Sequence, residues 1–420
     1  MEQRKRLGRG HRIDYGILFA VALLCAFGLV MVFSASYYYA QNYSGVDYDG
    51  YHYLRKQIQF LAIGFPVMIA ISFVPYTFYK RAWLLAYLGC VALLVLVLVI
   101  GKEANGAKRW LIIGGLSIQP SELAKFGMMM YMCAFMDKKH AVMHTFKKGM
   151  FPMLLVIGVT CGLVMLQPNM SMAVIIGLMG YGLLLAGGAD WKQMIVLGIV
   201  CVGLFVLLAV IEPYRFARLT NFVDPWADGK NGLGAGYQLV QSFYALGSGG
   251  LFGRGLNNSR QKLLFMTYGE SDFIFAILGE ELGLVGALVV MAVYAFIVYR
   301  GFRVSLRLKD RFASLLAAGI SFVFALQVLV NIGVVTGSMP TTGQALPFIS
   351  AGGTSLLIFL AAIGILLNLS RYTVEPSALG KETGKKHSKS VTAALKESRK
   401  KRSAPEGSPA IPPEDAVTES

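Results

Sequence analysis

The run Tyr268-Gly269-Glu270-Ser271-Asp272-Phe273 sets a carboxylate where a long polar stretch gives way to an apolar one. An acid at such a border can take a proton from a substrate whose head lies in water and whose tail lies in lipid. Asp272 is therefore the leading candidate for a general base. The ordinary structural task of the same residue would be to cap the helix that begins at Phe273, and the two roles are compatible. Glu270 is the only neighbouring acid, and a residue two positions away on a helix or turn does not share a face with Asp272.

Cations that could serve an anionic substrate cluster in two further stretches. Lys108-Arg109-Trp110 sits among glycines, and positive charge beside an interfacial aromatic suits a phosphate head at a membrane surface. The bland reading is that Trp110 merely anchors the loop at headgroup level. The stretch 212–271 holds Arg215, Arg218, Arg254 and Lys262 among ten glycines, which favours an anionic ligand approached closely by backbone. Its aromatic residues, Trp226 and Phe243 among them, call for short helices lying on the membrane. The run Gly247 to Gly255 is not a nucleotide loop, because no strand or Lys-Ser/Thr pair accompanies it. Glu122 and Lys125 lie three apart on one helical face inside an apolar run, where each unpaired charge costs about 2.5–3.5 kcal/mol. They must pair or face a hydrated site; a purely structural ion pair is the plain alternative.

The elements holding these residues are membrane helices. The chain has 420 residues, of which 55% are hydrophobic and 15% charged, with a mean hydropathy of +0.58. That composition predicts an all-α integral membrane protein. Ten apolar segments of spanning length begin near Tyr15, Ile58, Trp83, Ser121, Pro152, Ser171, Met194, Phe273, Phe312 and Ser350. The first is too long for a signal-peptide core and is read as a retained span. Continuous apolar character without alternation excludes a β-barrel. With both termini inside, 27 of the 39 Lys and Arg fall on the cytoplasmic side and eleven outside. The positive-inside bias thus puts Asp272 and the large 212–271 loop, between helices 7 and 8, on the outer face. Residues 1–14 read as a basic cytoplasmic tail, 15–371 as the membrane domain and 372–420 as a disordered cytoplasmic tail rich in charge. That tail serves topology, or touches anionic lipid or a cytoplasmic partner.

Within Gly337 to Ser355, two prolines and four glycines break the helical pattern just before the last span. Irregular backbone at membrane depth persists only where protein buries it or water lines it, so a broken segment facing a cavity is expected. The five cysteines lie in apolar helices without a CxxC pair, and the five histidines are scattered, so no protein-built metal or redox centre is expected.

Five strings, AKRWLIIGGLSIQPSELAK, YRFARLTNFVDPWAD, GYQLVQSFYALGSGGLFGRGLNNSRQK, SDFIFAILGEELG and TTGQALPFISAGGTSLL, resemble the SEDS family (shape, elongation, division and sporulation). The resemblance runs from Asp14 to Arg371 and is closest to the FtsW division branch or its sporulation relative. It implies a ten-helix peptidoglycan glycosyltransferase that polymerises lipid II on the outer face of the cytoplasmic membrane. It also implies a class B penicillin-binding protein as transpeptidase partner, contact with divisome regulators, a septal location, and no nucleic acid. The family's proposed catalytic aspartate falls on Asp272, its loop Arg-Trp pair on Arg109 and Trp110, and its intramembrane Glu and Lys on Glu122 and Lys125. Two departures stand out: Thr267-Tyr268-Gly269-Glu270-Ser271 replaces the usual Pro-Glu-x-His-Thr, and Gln167-Pro168-Asn169 replaces the usual Gln-Pro-Asp.

The implied reaction joins a sugar hydroxyl of one lipid II to the anomeric carbon of another and expels undecaprenyl pyrophosphate. Asp272 would take the proton, while Arg109, Arg215, Arg218, Arg254, Lys262 or a bound Mg²⁺ or Mn²⁺ would stabilise the leaving group. No organic cofactor is implied. A lone carboxylate suits inverting displacement, since a covalent retaining route needs two carboxylates about 5–5.5 Å apart. Two other readings are a lipid II flippase, supported by the broken segment and the intramembrane pair, and a non-catalytic scaffold that recruits the transpeptidase.

Overall fold

The computed structural model describes residues 13–104, 107–113, 116–211, 216, 220–228, 230–266 and 268–373. Ten long helices follow the apolar segments: α1 (Tyr15–Gln41), α2 (His52–Phe73), α3 (Tyr76–Ile100), α4 (Pro120–Lys138), α5 (Phe151–Met165), α6 (Met170–Ala186) and α7 (Trp191–Ile211), then α9 (Ile274–Arg307), α10 (Arg311–Val335) and α11 (Gly353–Ser370). An eleventh, α8 (Tyr237–Gly249), lies within the large loop. Among the described residues, seven helices are long and apolar enough to cross a membrane: α1, α2, α3, α5 with the π-turn before it, α9, α10 and α11. Of the others, α4 carries Glu122, Lys125, Asp137 and Lys138, α6 has only 17 residues, and the described apolar part of α7 ends at Leu204.

Exposed Leu85, Leu88, Val95 and Val99 on α3, and Ile195, Val196 and Ile199 on α7, give those helices an apolar outer face suited to lipid. α10 and α11 are central, with 67% and 72% of their apolar windows buried. α11 packs on α2, α10 on α9, and α3 on α4. Met128, Met129, Met132 and Met136 of α4 fill the interior with unbranched side chains that adapt to irregular gaps.

The chain is not purely helical. Residues expected to form a loop make a three-stranded antiparallel sheet in the order β1 (Lys102–Ala104), β2 (Ala107–Ile113), β3 (Leu116–Ile118). In register, Glu103 opposes Lys108, and Leu111 opposes Ile118. Trp110-Leu111-Ile112-Ile113 combines an aromatic with branched residues, which favour a pleated, half-buried surface. Pairing also satisfies backbone groups that an open loop would leave to water.

The start of α9 also departs from a plain span. Gly283 interrupts it with φ 69° and ψ −170°, so residues 274–282 form a short helical arm before the long one. That conformation is open essentially only to glycine. A Cβ there would come within 2.3 Å of Gly253 N and 2.5 Å of Leu251 O, so the bend is also a close crossing of the large loop over α9.

The described part of the large loop is folded rather than loose. α8 buries Leu239, Val240, Ser242 and Ala245 and packs on α9 instead of lying apart on the membrane. Ahead of it, Asp228 accepts hydrogen bonds from the backbone N–H groups of Lys230, Gly232, Gly234 and Gly236 at 2.7–3.2 Å. Desolvation pushes this carboxyl up, but the four donors outweigh it and hold the pKa down at about 2. Because the folded value lies below the ordinary one near 3.8, this ordering is complete above that value and is lost as pH falls toward 2. Hydrogen exchange should show the amides of Lys230, Gly232, Gly234 and Gly236 protected at neutral pH, and Asp228→Ala, which leaves no acceptor, should remove that protection at every pH.

Candidate active site

Two central segments converge on Asp272. The irregular stretch 336–352, between α10 and α11, is buried by protein from Leu346 to Ser350. It grips the backbone of residues 270–272. Ala351 N donates to Glu270 O at 2.9 Å, Ser350 Oγ to Ser271 O at 2.6 Å, and Asn331 Nδ2 of α10 to Asp272 O at 2.8 Å. Asn331 Nδ2 also donates to Gln344 O at 2.7 Å, so one side chain clamps both segments. Two non-glycine residues hold positive φ beside this junction, Tyr268 at 58° and Phe348 at 69°. Such strain persists only where surroundings impose it. Phe348 is locked among Phe324 and Phe359.

The Asp272 side chain itself is half-buried. It faces the exposed turn at Gly343, where a Cβ would sit 3.3 Å from Oδ2. The N-cap position of α9 falls one residue later, on Phe273, whose side chain makes no capping bond. Glu270 is buried, and burial pushes its carboxyl up, favouring the neutral acid. Of these two acids, two residues apart, Glu270 is buried and Asp272 only partly so.

Glu122 and Lys125 pair at 2.8 Å, with side chains 5% and 0% exposed. Their surroundings are polar only in one direction. Lys125 Nζ donates to Gln327 Oε1 at 3.3 Å, and Gln327 Nε2 donates to Gln344 Oε1 at 2.9 Å. On the other side the ammonium lies 5.0 Å from the Phe359 ring. A chain of polar contacts therefore runs from the ion pair on α4, through Gln327, Gln344 and Asn331, to the backbone of Asp272. Asn331 donates twice in this chain through Nδ2, while its Oδ1 is buried without a hydrogen-bond partner among the described residues.

The other cations fall into separate settings. Arg109 Nε donates to Gln167 O at 3.0 Å and its NH2 group donates to Pro168 O, tying β2 to the turn between α5 and α6. Within that turn Asn169 caps α6, accepting from Met172 N at 3.3 Å. Thr354 Oγ1 donates to Ser117 O, which holds the sheet against the start of α11. Lys108 is exposed and Trp110 half-buried. Arg215 and Arg218 lie outside the described residues.

Arg254 and Lys262, expected among the substrate cations, belong to a buried network at the α9 arm. Glu280, fully buried, accepts from Ser259 Oγ at 2.5 Å, from the backbone N–H of Arg260 at 3.0 Å and of Gln261 at 3.2 Å, and from Arg254 at 3.5 Å. Lys262 is 6% exposed, and its Nζ donates to Glu281 at 3.0 Å, Ser34 at 3.1 Å and Asn257 at 2.5 Å. Its three protons are fully used, so the geometry gives Lys262 a structural duty in place of a phosphate contact. Arg254 remains 29% exposed, which leaves part of its fork open.

Gln327, Asn331, Ser350, Glu280 and Glu281 were not singled out from sequence. For Gln327 and Asn331 a signal existed: two amides four apart in the apolar run FALQVLVNIG, the pattern that draws attention to Glu122 and Lys125.

The family described as cell cycle protein, FTSW_RODA_SPOVE, matches residues 15–375. Stage V sporulation protein E of Bacillus subtilis (strain 168) is 38% identical over 365 residues, covering 86% of this chain and 97% of that protein. A Geobacter sp. (strain M18) protein named "Probable peptidoglycan glycosyltransferase FtsW" is 38% identical over 359 residues, covering 85% and 96%. A solved structure described as "Structural coordination of polymerization and crosslinking by a peptidoglycan synthase complex" contains a chain with TM-score 0.70 and 26% identity, covering 86% of this chain and 98% of that one. The match over nearly all of the membrane domain, at this level of identity, means that the chain belongs to the FtsW/RodA/SpoVE family of cell cycle proteins.

Proposed function

We propose that this chain is a peptidoglycan glycosyltransferase that polymerises lipid II on the outer face of the cytoplasmic membrane, with Asp272 as general base. The observation that carries this reading is the combination at Asp272: a carboxylate left half-open beside Gly343 while its backbone is held by Asn331. A base must be aimed to within hydrogen-bond reach of the proton it takes, and a clamped backbone supplies that aim.

In the reaction, Asp272 accepts the proton of an acceptor sugar hydroxyl as its oxygen attacks the anomeric carbon of the donor. The bond from that carbon to the diphosphate oxygen breaks, giving inversion in one displacement. Glu270, buried and favouring its neutral form, is a poor nucleophile for a covalent route. Arg109 and Arg254, both only partly buried, are the described arginines assigned to the departing diphosphate. A bound Mg²⁺ or Mn²⁺ ion would supply counter-charge to the departing diphosphate, held mainly by the substrate's own oxygens. Among the described residues no three His, Cys, Asp or Glu groups converge to hold one alone.

The topology that suits this chemistry has ten spans, both termini cytoplasmic, and the 212–271 loop outside. α4 then crosses with Glu122 and Lys125 paired, α6 crosses at the lower length limit of about 17 residues, and α7, with 21 residues, is of ordinary spanning length. A class B penicillin-binding protein as partner accords with the synthase complex named for the structural relative. Duty at the division septum accords with the FtsW relatives. The decisive assay mixes purified chain and transpeptidase with lipid II in detergent, where no compartment exists to transport across. Glycan strands are the expected product; their absence under conditions that support the partner's crosslinking would favour a carrier or a scaffold.

A further inference from the structure

The end of the bundle opposite Asp272 carries a polar cavity that glycosyl transfer does not use. It has a volume of about 320 Å³, and Asp14, Tyr15, Arg300, Arg303, Arg307 and Ser370 contribute to its lining. The arginines are spaced three and four apart, which brings them to one face of the last two turns of α9. Cations at a helix C-terminus are favoured by the helix dipole, and that alone would explain their presence on an open surface. Their arrangement goes further. Arg300 donates to Asp14 at 2.6 Å, and Asp14 N donates to Ser370 Oγ at 3.0 Å, which closes one wall by joining α1, α9 and α11. Arg303 and Arg307 are half-buried against the cavity and form no ion pair among the described residues. Among the described residues, three guanidinium groups thus face a single carboxylate.

The flank of this cavity is apolar and exposed. Tyr15, which lines it, and Phe296, which lies under Arg300, present large exposed rings at its edge, and Phe19 of α1 and Tyr299 and Leu306 of α9 are exposed on the same two helices. An aqueous anion site has no use for such a rim. A molecule with an anionic head and hydrocarbon tails uses both parts.

We propose that this cavity binds the phosphodiester headgroup of an anionic phospholipid from the adjacent leaflet. Arg303 and Arg307 grip the phosphate through their planar forks, and the acyl chains run along Phe19 and Phe296. The site is independent of the glycosyltransferase reading and would stand if that reading failed. By tying the start of α1 to the ends of α9 and α11, an occupied site would brace the helices whose other ends frame Asp272.

The test uses the full chain purified in detergent, with thermal unfolding followed during titration by phosphatidylglycerol, phosphatidylcholine or inorganic phosphate. A saturable rise in Tm is expected with phosphatidylglycerol only. In Arg303→Gln/Arg307→Gln the lipid should bind roughly tenfold more weakly or worse, as loss of two juxtamembrane cations implies. Lys147→Gln/Lys148→Gln removes the same charge from the exposed link between α4 and α5 and should leave the titration unchanged. If the double arginine variant does not fold, Arg307→Gln alone, at the helix end, should show the same direction. Wild-type affinity in the arginine variants, equal weakening in the lysine control, or a full shift from inorganic phosphate alone would each overturn the lipid assignment.

Discussion

Replacing Asp272 by Asn is expected to cut lipid II polymerisation by about 10²- to 10⁴-fold, the span that a positioned general base supplies. Each tenfold corresponds to about 1.4 kcal/mol of barrier, so the loss is roughly 3–5 kcal/mol. Asn keeps the size and the backbone clamp from Asn331, which bonds the carbonyl of residue 272 and not its side chain. Folding and lipid II binding should therefore persist while strand formation fails. Gel analysis of glycan products beside a lipid II binding titration separates these quantities. Asp272→Glu should recover only part of the rate, because the extra methylene moves the carboxylate off the position that the clamped backbone sets.

The second large effect concerns stability. Lys125→Met leaves Glu122 buried at 5% exposure with its partner gone, and removing one member of a buried pair costs about 3–5 kcal/mol. Lys125→Met should unfold the purified protein at markedly lower temperature and also loosen Gln327, whose Oε1 loses its donor. Glu122→Gln/Lys125→Met removes both charges and should recover most of the melting temperature. A double-mutant cycle on thermal unfolding measures this coupling. If the double variant recovers stability but not polymerisation, the pair serves the Asp272 segment through Gln327 and Gln344; if both return, the pair only packs helices.

The helical segments were legible because hydrocarbon demands long apolar runs with their backbone satisfied internally, and such runs are visible at once in the sequence. Their ends were less so. α2 begins at His52 and α3 at Tyr76, each several residues before the apolar run, because polar and aromatic residues at the interface continue the helix without adding hydropathy. The sheet at 102–118 escaped notice since its strands are short and flanked by glycine, where composition reads as loop. Asp272, the Glu122–Lys125 pair and the irregular stretch before α11 could be singled out because each breaks the apolar rule locally. Lys262 could not be sorted correctly from sequence. A basic residue in a glycine-rich loop looks free until the fold brings Glu281 and Ser34, the latter 228 positions away, to its ammonium. Nor could the bend at Gly283 be read, since a lone glycine in an apolar run is as compatible with a straight helix.

Chemistry on lipid-linked sugars at the outer face requires Asp272 to be reachable from outside. The most direct measurement places a single cysteine at 272 in a chain whose five native cysteines are replaced, and labels intact cells with a membrane-impermeant thiol reagent. Labelling from outside, blocked by prior treatment with an impermeant competitor, is the expected result. Labelling only after the cytoplasmic face is opened, or no labelling from either side in a folded protein, would contradict an outward-facing base.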